Sequence, residues 1–217
     1  MNALDRFQHP RFAKAFVSVS EEMDARGGAD HRRRLLASVR GDVIEIGAGH
    51  GRNFAHYPAQ VTSVLAVEPD DTLRALAVSA AERAPVPVRV VAGHADALPA
   101  ADASLDAAVL SLVLCSVPDP AGALAEIKRV LKPGGRLHYY EHVRSAHPVI
   151  GWLEDAVTPV YSRVAGGCHP NRDAGRLIRA AGFEVVDEDR FGFRPARLAP
   201  TTAHLLGRAL VPLNIRA

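Results

Sequence analysis

The sequence predicts an α/β fold, a doubly wound and mostly parallel sheet with helices on both of its faces. The first observation is a regular alternation of β-branched runs with Ala- and Leu-rich helical runs, beginning near Asp42. The second is a glycine-rich loop, Gly47 to Gly51, directly after the first predicted strand. Because parallel strands need right-handed crossovers, this alternation leaves few other ways to bury the apolar surfaces.

Length and composition predict a single globular domain, 1–217. A chain of 217 residues is enough for one substantial core and too short for two ordinary domains with a linker. Apolar residues make up 48% and charged residues 23%, which is close to globular averages. The formal net charge of +2 lacks the dense basic stripe of a nucleic-acid binder, so no nucleic-acid partner is predicted.

The sequence also predicts a cytoplasmic protein without a membrane span. The longest nearly apolar run, 107–115, is nine residues, about half of what a spanning helix needs. The first residues lack the basic start and apolar stretch of a secretory signal. The two cysteines, Cys115 and Cys168, are compatible with a reducing compartment.

The individual elements follow from periodicity and from turn residues. The predicted strands are 42–46, 61–67, 86–91, 106–111, 136–140 and 183–187, and the predicted helices are 73–83, 121–131 and 172–181. Residues 1–40 form an amino-terminal helical segment, in which the basic run His31 to Arg34 is expected on a solvated helix face.

Two further segments do not follow the alternation. Residues 141–171 are predicted to be a substrate-cap insertion, in which Trp152, Tyr161 and Val164 are expected to form an apolar lid or, alternatively, to plug the sheet edge. The tail, 198–217, has scattered apolar positions, for which a docked helix, a dimer contact and a surface binder stay open.

The glycine loop and an acidic residue together predict an adenosine-bearing cofactor. Glycines let a ligand approach the backbone of a tight turn without a Cβ in the way. Glu68 ends the second predicted strand, where a carboxylate accepts hydrogen bonds from two ribose hydroxyls. The third glycine of a dinucleotide site would fall at Arg52, so the spacing argues against a nicotinamide-dependent oxidoreductase.

Four ordered motifs make the sequence similar to class I S-adenosylmethionine-dependent methyltransferases. The motifs are Val43 to Gly51, Val67 to Asp70, Gly93 to Pro99, and Leu131 to Gly135. The resemblance implies a seven-stranded sheet, S-adenosylmethionine as cofactor and S-adenosylhomocysteine as product. The residues that it assigns to the cofactor site are Glu45, Gly47, Ala48, Gly49, Asn53, Glu68, Pro69, His94, Ala95, Asp96, Ser111 and Leu112.

Within that assignment, each part of the cofactor has its own expected residues. Gly47 and Gly49 contact the methionine end, Glu68 holds the ribose, and the turn at 93–96 holds the adenine. His94 departs from the family pattern, which often has Asp there to accept from the adenine amino group. Either Asp96 or the backbone of Ala95 takes over that contact.

Further segments of the sequence resemble a narrower group, the animal methyltransferase-like family 7 proteins. These segments are 53–58, 112–117, 140–143 and 167–168. The resemblance implies methylation of a small alkyl thiol, whereas quinone, phospholipid and other small-molecule methyltransferases share the general motifs. The animal members carry an amino-terminal hydrophobic anchor, which we do not carry over to this sequence.

Glu141 and His142 are the predicted catalytic pair, because they follow a strand where it meets the site. Alternatively, Glu141 caps a turn and His142 packs beneath the insertion. A metal site built from Cys168 and His169 with His138 and His142 fits no zinc template, so no metal is predicted. Cys115 is expected in the core.

The predicted function is therefore methyl transfer to a small apolar acceptor, with a thiol favoured. The expected partner is that small molecule, and the chain is expected to be a monomer or a homodimer. A cofactor-binding interaction module is the non-catalytic alternative, because binding and turnover use the same glycine loop and acid.

Overall fold

A computed structural model describes residues 4–213, and these form one seven-stranded sheet with helices on both faces. The strand order is β3-β2-β1-β4-β5-β7-β6. The five strands from β3 to β5 run parallel, and β7 is antiparallel to both of its neighbours. The predicted doubly wound, mostly parallel α/β fold is confirmed.

The bounds of most elements lie within a few residues of those predicted. The strands are β1 Gly41–Ile46, β2 Val61–Val67, β3 Val88–Val91, β4 Leu105–Ser111, β5 Leu131–His142, β6 Glu184–Phe193 and β7 Thr202–Leu210. The helices are α1 Pro10–Met23, α2 Ala29–Leu36, α3 Asp71–Ala81, α4 Pro120–Val130, α5 Pro148–Val164 and α6 Ala174–Ala180.

Two apolar cores lie on opposite faces of the sheet. One contains Leu124 and Ile127 of α4 and Ile178 of α6, packed on alternate residues of the central strands. The other contains residues of α2 and α3, such as Leu35 and Ala77, packed on the opposite faces of the same strands. Because helices cover both sides of the sheet, most residues of β1 and β4 are buried.

The amino-terminal segment is helical as expected, but one of its arginines points inward. Arg32 of α2 is only 6% exposed, and its Nε donates to Asp24 Oδ1 at 3.0 Å. The prediction of a solvated face is therefore wrong at Arg32, although Arg33 and Arg34 are exposed. A buried arginine requires a carboxylate and further acceptors, and the adjacent turn supplies Asp24.

The tail forms a strand, and none of the three open interpretations anticipated it. β7 inserts between β5 and β6, and Leu205 and Ala209 on it are buried. The alternation of buried and partly exposed residues along β7 is the period-two pattern of a strand. The last part of the predicted tail, 214–217, lies outside the described residues.

The segment 141–171 contains α5, whose apolar residues largely face solvent. Trp152 is 65% exposed, Tyr161 43% and Val164 71%. Among residues 4–213, no helix is long and apolar enough to span a bilayer.

Candidate active site

A cavity of about 370 Å³ lies at the carboxyl ends of β1, β2 and β4. A larger, more open depression of about 940 Å³ lies at the opposite edge, near the amino ends of β2 and β3. In open α/β sheets, ligands bind beyond the carboxyl ends of the strands, where the strand order reverses. The order reverses between β1 and β4, so the smaller cavity is the candidate site.

The glycine loop forms one wall of this cavity. Gly47 has φ +64° and Gly49 has φ +56°, a region that favours glycine. A Cβ on Gly47 would lie 2.9 Å from Cγ2 of Val113. The backbone at Gly47 and Gly49 is therefore bare where it lines the cavity, whereas Ala48 between them is buried and does not line it.

Glu68 lies at the end of β2 and faces the same cavity. Its Oε2 accepts from the Gly49 amide at 2.7 Å, and its Oε1 accepts from the Asp70 amide at 2.9 Å. Burial raises the pKa of Glu68 to about 7, although these two amide hydrogen bonds lower it. The carboxylate thus joins the glycine loop to the end of β2, and Pro69 beside it also lines the cavity.

Glu45 and Asn53 lie behind the glycine loop and are not among the residues that line the cavity. Glu45 accepts from Asn53 Nδ2 at 2.9 Å and from the Tyr57 hydroxyl at 2.7 Å. Arg32 donates to Asn53 Oδ1 at 3.0 Å and to Ser111 Oγ at 3.3 Å. This buried network supports the loop from below, so the predicted cofactor contacts of Glu45 and Asn53 have no direct path to the cavity.

The turn after β3 forms the far end of the cavity. His94 and Ala95 line it, whereas Asp96 does not and instead pairs with Arg6 at 3.0 Å. Phe7 stacks on the His94 ring with centroids 5.5 Å apart. His94, which stands where the family often has Asp, therefore supplies an aromatic surface. The Asp96 carboxylate forms an ion pair with Arg6.

The chain after β4 carries Ser111 and Leu112 to the cavity wall. Leu112 has φ +61°, a strained conformation for a residue other than glycine. Its amide donates to the Tyr140 carbonyl at 2.7 Å, which holds the turn in place. Such strain is found where the surrounding structure fixes a functional turn.

Glu141 is fully buried and holds this turn. Its carboxylate accepts from the amides of Val113 at 2.9 Å, Leu114 at 3.0 Å and Cys115 at 3.3 Å. Burial raises its pKa to about 7. Glu141 does not line the cavity, and its position resembles the turn-capping alternative more than the acid–base role.

His142 is partly exposed and also does not line the cavity. Its Nδ1 lies 3.8 Å from Cys115 Sγ and 3.6 Å from Cys168 Sγ. The structure therefore brings together two cysteines that are far apart in sequence. His138 and His169 lie outside this group, since His138 Nδ1 contacts the Leu35 carbonyl and His169 Nδ1 the Gly167 carbonyl.

The side chains that α1 contributes to the cavity wall were not predicted from the sequence. Phe12 and Phe16 line the cavity and stack on each other with centroids 5.5 Å apart. Phe16 lies over Gly49, and Phe12 lies against Gly166, where a Cβ would approach its ring to 2.5 Å. The spacing of four residues between the phenylalanines puts them on one helix face, but periodicity does not tell which cavity that face covers.

The amino-terminal segment is tied to the end of β2 by hydrogen bonds. The His9 amide donates to Asp70 Oδ2 at 3.0 Å. Gln8 Nε2 donates to the Pro69 carbonyl at 2.9 Å, and Gln8 Oε1 accepts from the Asp71 amide at 3.1 Å. These contacts place α1 over the glycine loop.

The lid residues predicted in the insertion are not those that reach the cavity. Trp152, Tyr161 and Val164 do not line it, whereas Gly166 and Gly167 do. Both glycines have positive φ, +59° and +83°. The prediction that these side chains form a lid over the cavity is therefore wrong. The insertion contributes glycine backbone to the cavity wall instead.

The cavity residues fit S-adenosylmethionine. The bare backbone at Gly47 and Gly49 leaves room for its methionine end, and a Cβ at Gly47 would close that space. The Glu68 carboxylate is suited to the ribose hydroxyls, and the His94 turn is suited to the adenine.

Comparisons with known proteins agree with this fit. A methyltransferase domain model matches residues 44–139. Human thiol S-methyltransferase TMT1B is 31% identical over 193 residues, which cover 82% of this chain and 78% of the relative. Demethylmenaquinone methyltransferase of Corynebacterium kroppenstedtii is 30% identical over 203 residues, which cover 80% and 86%.

Among solved structures, the YcgJ protein of Bacillus subtilis has a TM-score of 0.70 at 18% identity, covering 84% of this chain and 99% of that chain. This likeness confirms the fold. The sequence relatives show more, because they match most of both chains at 30% identity or above. The chain is therefore an enzyme of the S-adenosylmethionine-dependent methyltransferase class and belongs to the family that includes thiol S-methyltransferase TMT1B.

Proposed function

We propose that this methyltransferase transfers the methyl group of S-adenosylmethionine to a small, largely apolar acceptor, and that the acceptor is a thiol. The observation that carries the proposal is the aromatic end of the cavity, formed by Phe12, Phe16, Ser116, Gly166 and Gly167. The relatives named thiol S-methyltransferases support the same acceptor class. The two unpaired cysteines are consistent with the cytoplasmic location that we propose.

The aromatic end adjoins the glycine loop directly. Phe16 lies 3.6 Å from the position of a Cβ on Gly49, and Phe12 packs between Phe16 and Gly166. An acceptor there would lie next to the methionine end of the cofactor and would contact mostly carbon. Apolar walls exclude water and hold such an acceptor by burial of its own apolar surface.

Methyl transfer needs little acid–base chemistry when the acceptor is a thiol. The cofactor supplies an activated methyl group on sulfur together with its leaving group. A thiol with a pKa near 8.5 is already a few per cent thiolate at neutral pH, so the protein chiefly aligns the acceptor and excludes water.

In this proposal, Glu141 is a positioning residue for the turn 112–115, and Glu45, Asn53 and Arg32 position the glycine loop. The hydrogen bonds of Glu141 to three consecutive amides support this role. A role for His142 in taking the thiol proton stays a prediction, because its ring contacts Cys115 and Cys168 behind the cavity wall.

A quinone is the second candidate acceptor. The match to a demethylmenaquinone methyltransferase covers most of both chains, and a quinone ring also fits an apolar cavity. Phospholipids and amines are weaker candidates because they carry charged groups. Ser116 is the polar side chain that the aromatic end offers to such groups.

Label transfer distinguishes these acceptors. The purified chain is incubated with methyl-labelled S-adenosylmethionine and, separately, with small alkyl thiols, a demethylated quinone, a phospholipid and an amine. We expect label on sulfur of at least one thiol, and none when Gly47→Ala replaces the wild type. Transfer to the quinone, lipid or amine with none to any thiol would contradict the thiol assignment while leaving the methyltransferase class intact.

A further inference from the structure

Two cysteines and a histidine meet behind the aromatic end of the cavity. Cys115 follows β4, His142 ends β5, and Cys168 follows α5. The two Sγ atoms and the nearest imidazole nitrogen all lie within 4.8 Å of one another. Both thiols are free, and both cysteines are buried. Three segments that are remote in sequence thus direct soft ligand atoms at one point.

The two sulfur–nitrogen distances in this cluster match those of a tetrahedral metal site. Zinc binds thiolate sulfur at about 2.3 Å and imidazole nitrogen at about 2.0–2.1 Å. At tetrahedral angles, those bond lengths separate a sulfur from a nitrogen by about 3.6 Å. The two distances from His142 Nδ1, 3.6 Å to Cys168 Sγ and 3.8 Å to Cys115 Sγ, are close to that separation.

The surroundings favour thiolate at this point. The Arg172 guanidinium donates to the carbonyls of Leu114 and Val117 at 2.7 Å, beside the cluster. Its positive charge interacts with both cysteines, and a neighbouring cation favours the thiolate form that binds a metal.

The backbone of the cluster is held independently of any metal. Glu141 accepts from the Cys115 amide at 3.3 Å, and the His169 amide donates to the Cys115 carbonyl at 2.7 Å. The His142 ring packs on His204 with centroids 4.5 Å apart. Ligands that are fixed in this way lose little conformational entropy when they bind a metal.

We propose that Cys115, His142 and Cys168 form a binding site for a zinc-type divalent ion, with a fourth position for solvent near Ser116. The Ser116 hydroxyl lies 3.5 Å from Cys115 Sγ and also lines the cavity. The ion would join the loop that carries Gly166 and Gly167 to the ends of β4 and β5, and so fix the aromatic end. This site does not depend on which acceptor is methylated.

No metal was predicted from the sequence, because the ligand set considered there was Cys168 and its neighbour His169 with His138 and His142. Adjacent residues chelate one ion poorly, and Cys115 was assigned to the core. In the structure, Cys115 rather than His169 lies beside Cys168 and His142. The three ligands therefore come from three separate segments.

The test uses the full-length chain, reduced and freed of metal with a chelator, and titrated with cobalt(II) chloride. We expect the intense visible bands of tetrahedral cobalt and a near-ultraviolet thiolate band, both saturating at one equivalent. Added zinc chloride should displace the cobalt and abolish the bands. Binding at one equivalent without a thiolate band, or no visible bands at all, would overturn the proposal.

Single substitutions then assign the ligands. Cys168→Ser and His142→Ala should each weaken zinc binding at least about 100-fold, whereas the matched control His169→Gln should change it less than about threefold. Circular dichroism is used to check that each variant is folded. Should Cys115→Ser fail to fold, Cys168→Ser alone decides, because it lies in a loop. Unchanged affinity in Cys168→Ser would overturn the site, as would a Cys115–Cys168 disulfide that persists after the reduction step.

Discussion

The two ends of the cavity are built in different ways. The glycine-loop end comes from short turns directly after β1 and β2, and its contacts are backbone atoms and the Glu68 carboxylate. The aromatic end comes from α1, the chain after β4 and the loop after α5, and its contacts are rings and bare glycines. The first end is local in sequence, and the second is assembled from distant segments.

Because their contacts differ, the two ends are expected to recognise different molecules, the cofactor at the glycine-loop end and the acceptor at the aromatic end. Polar contacts with fixed geometry select one cofactor, because an unmatched buried polar group costs free energy. Apolar walls discriminate weakly between acceptors of similar size, since one methylene contributes only about 1–3 kcal/mol. We therefore expect substitutions at the glycine-loop end to affect cofactor binding strongly, and those at the aromatic end to shift the choice of acceptor.

The largest effect is expected from Gly47→Ala. The positive φ and the approach of the new Cβ to Val113 strain the turn, and the methyl group fills space that the cofactor needs. Affinity for S-adenosylhomocysteine, measured by calorimetry, should fall about 100-fold or more. Gly134→Ala, at φ +75° far from the cavity, is the matched control and should bind normally. Equal losses in both variants would mean that backbone strain alone is responsible.

Glu141→Gln tests the turn between the two ends. At pH 8, the free energy of unfolding should fall by about 2–3 kcal/mol, because three amides lose a buried carboxylate acceptor. The exposed Glu184→Gln should change it by less than about 0.5 kcal/mol. The pH profile of kcat should keep its shape in the variant. A profile that loses one limb while stability is unchanged would favour the acid–base role instead.

Cofactor affinity should depend on pH through Glu68. Its pKa is raised to about 7 by burial, and the ribose hydroxyls donate to the ionised form. The ionised fraction rises with pH, so affinity should increase about tenfold between pH 6 and pH 8. Glu68→Gln should bind more weakly and lose this slope. A slope that persists in the variant would assign the titration to a group other than Glu68.

The smallest effects are expected from Phe12, at the aromatic end, and Phe7, beside the His94 turn. Phe12→Ala should raise the KM for a small thiol roughly 2- to 10-fold and leave the affinity for S-adenosylhomocysteine within about twofold. Phe7→Ala, which removes the ring stacked on His94, should do the reverse. If both variants changed the same parameter, the division of the cavity into two ends would be incorrect.

Among the predicted site residues, those that line the cavity lie on turns at the ends of strands. Gly47, Gly49 and Glu68 lie on turns after predicted strands, and adjacent parallel strands bring such turns together. Glu45 and Asn53 lie beside the same loop in sequence, but their side chains point beneath it, and motif spacing does not reveal that direction. Asp96 does not line the cavity, and its carboxylate pairs with Arg6, which does.

The doubly wound fold and the cofactor class follow from the amino-acid sequence alone. Periodicity and glycine position are local properties, so they can be read from short stretches of chain. Only the tertiary structure decided that Phe12 and Phe16 cover the glycine loop, that β7 inserts beside β5, and that Cys115 and Cys168 meet at His142. Those contacts join segments remote in sequence, and they are fixed by how helices and loops pack on the sheet rather than by any local preference.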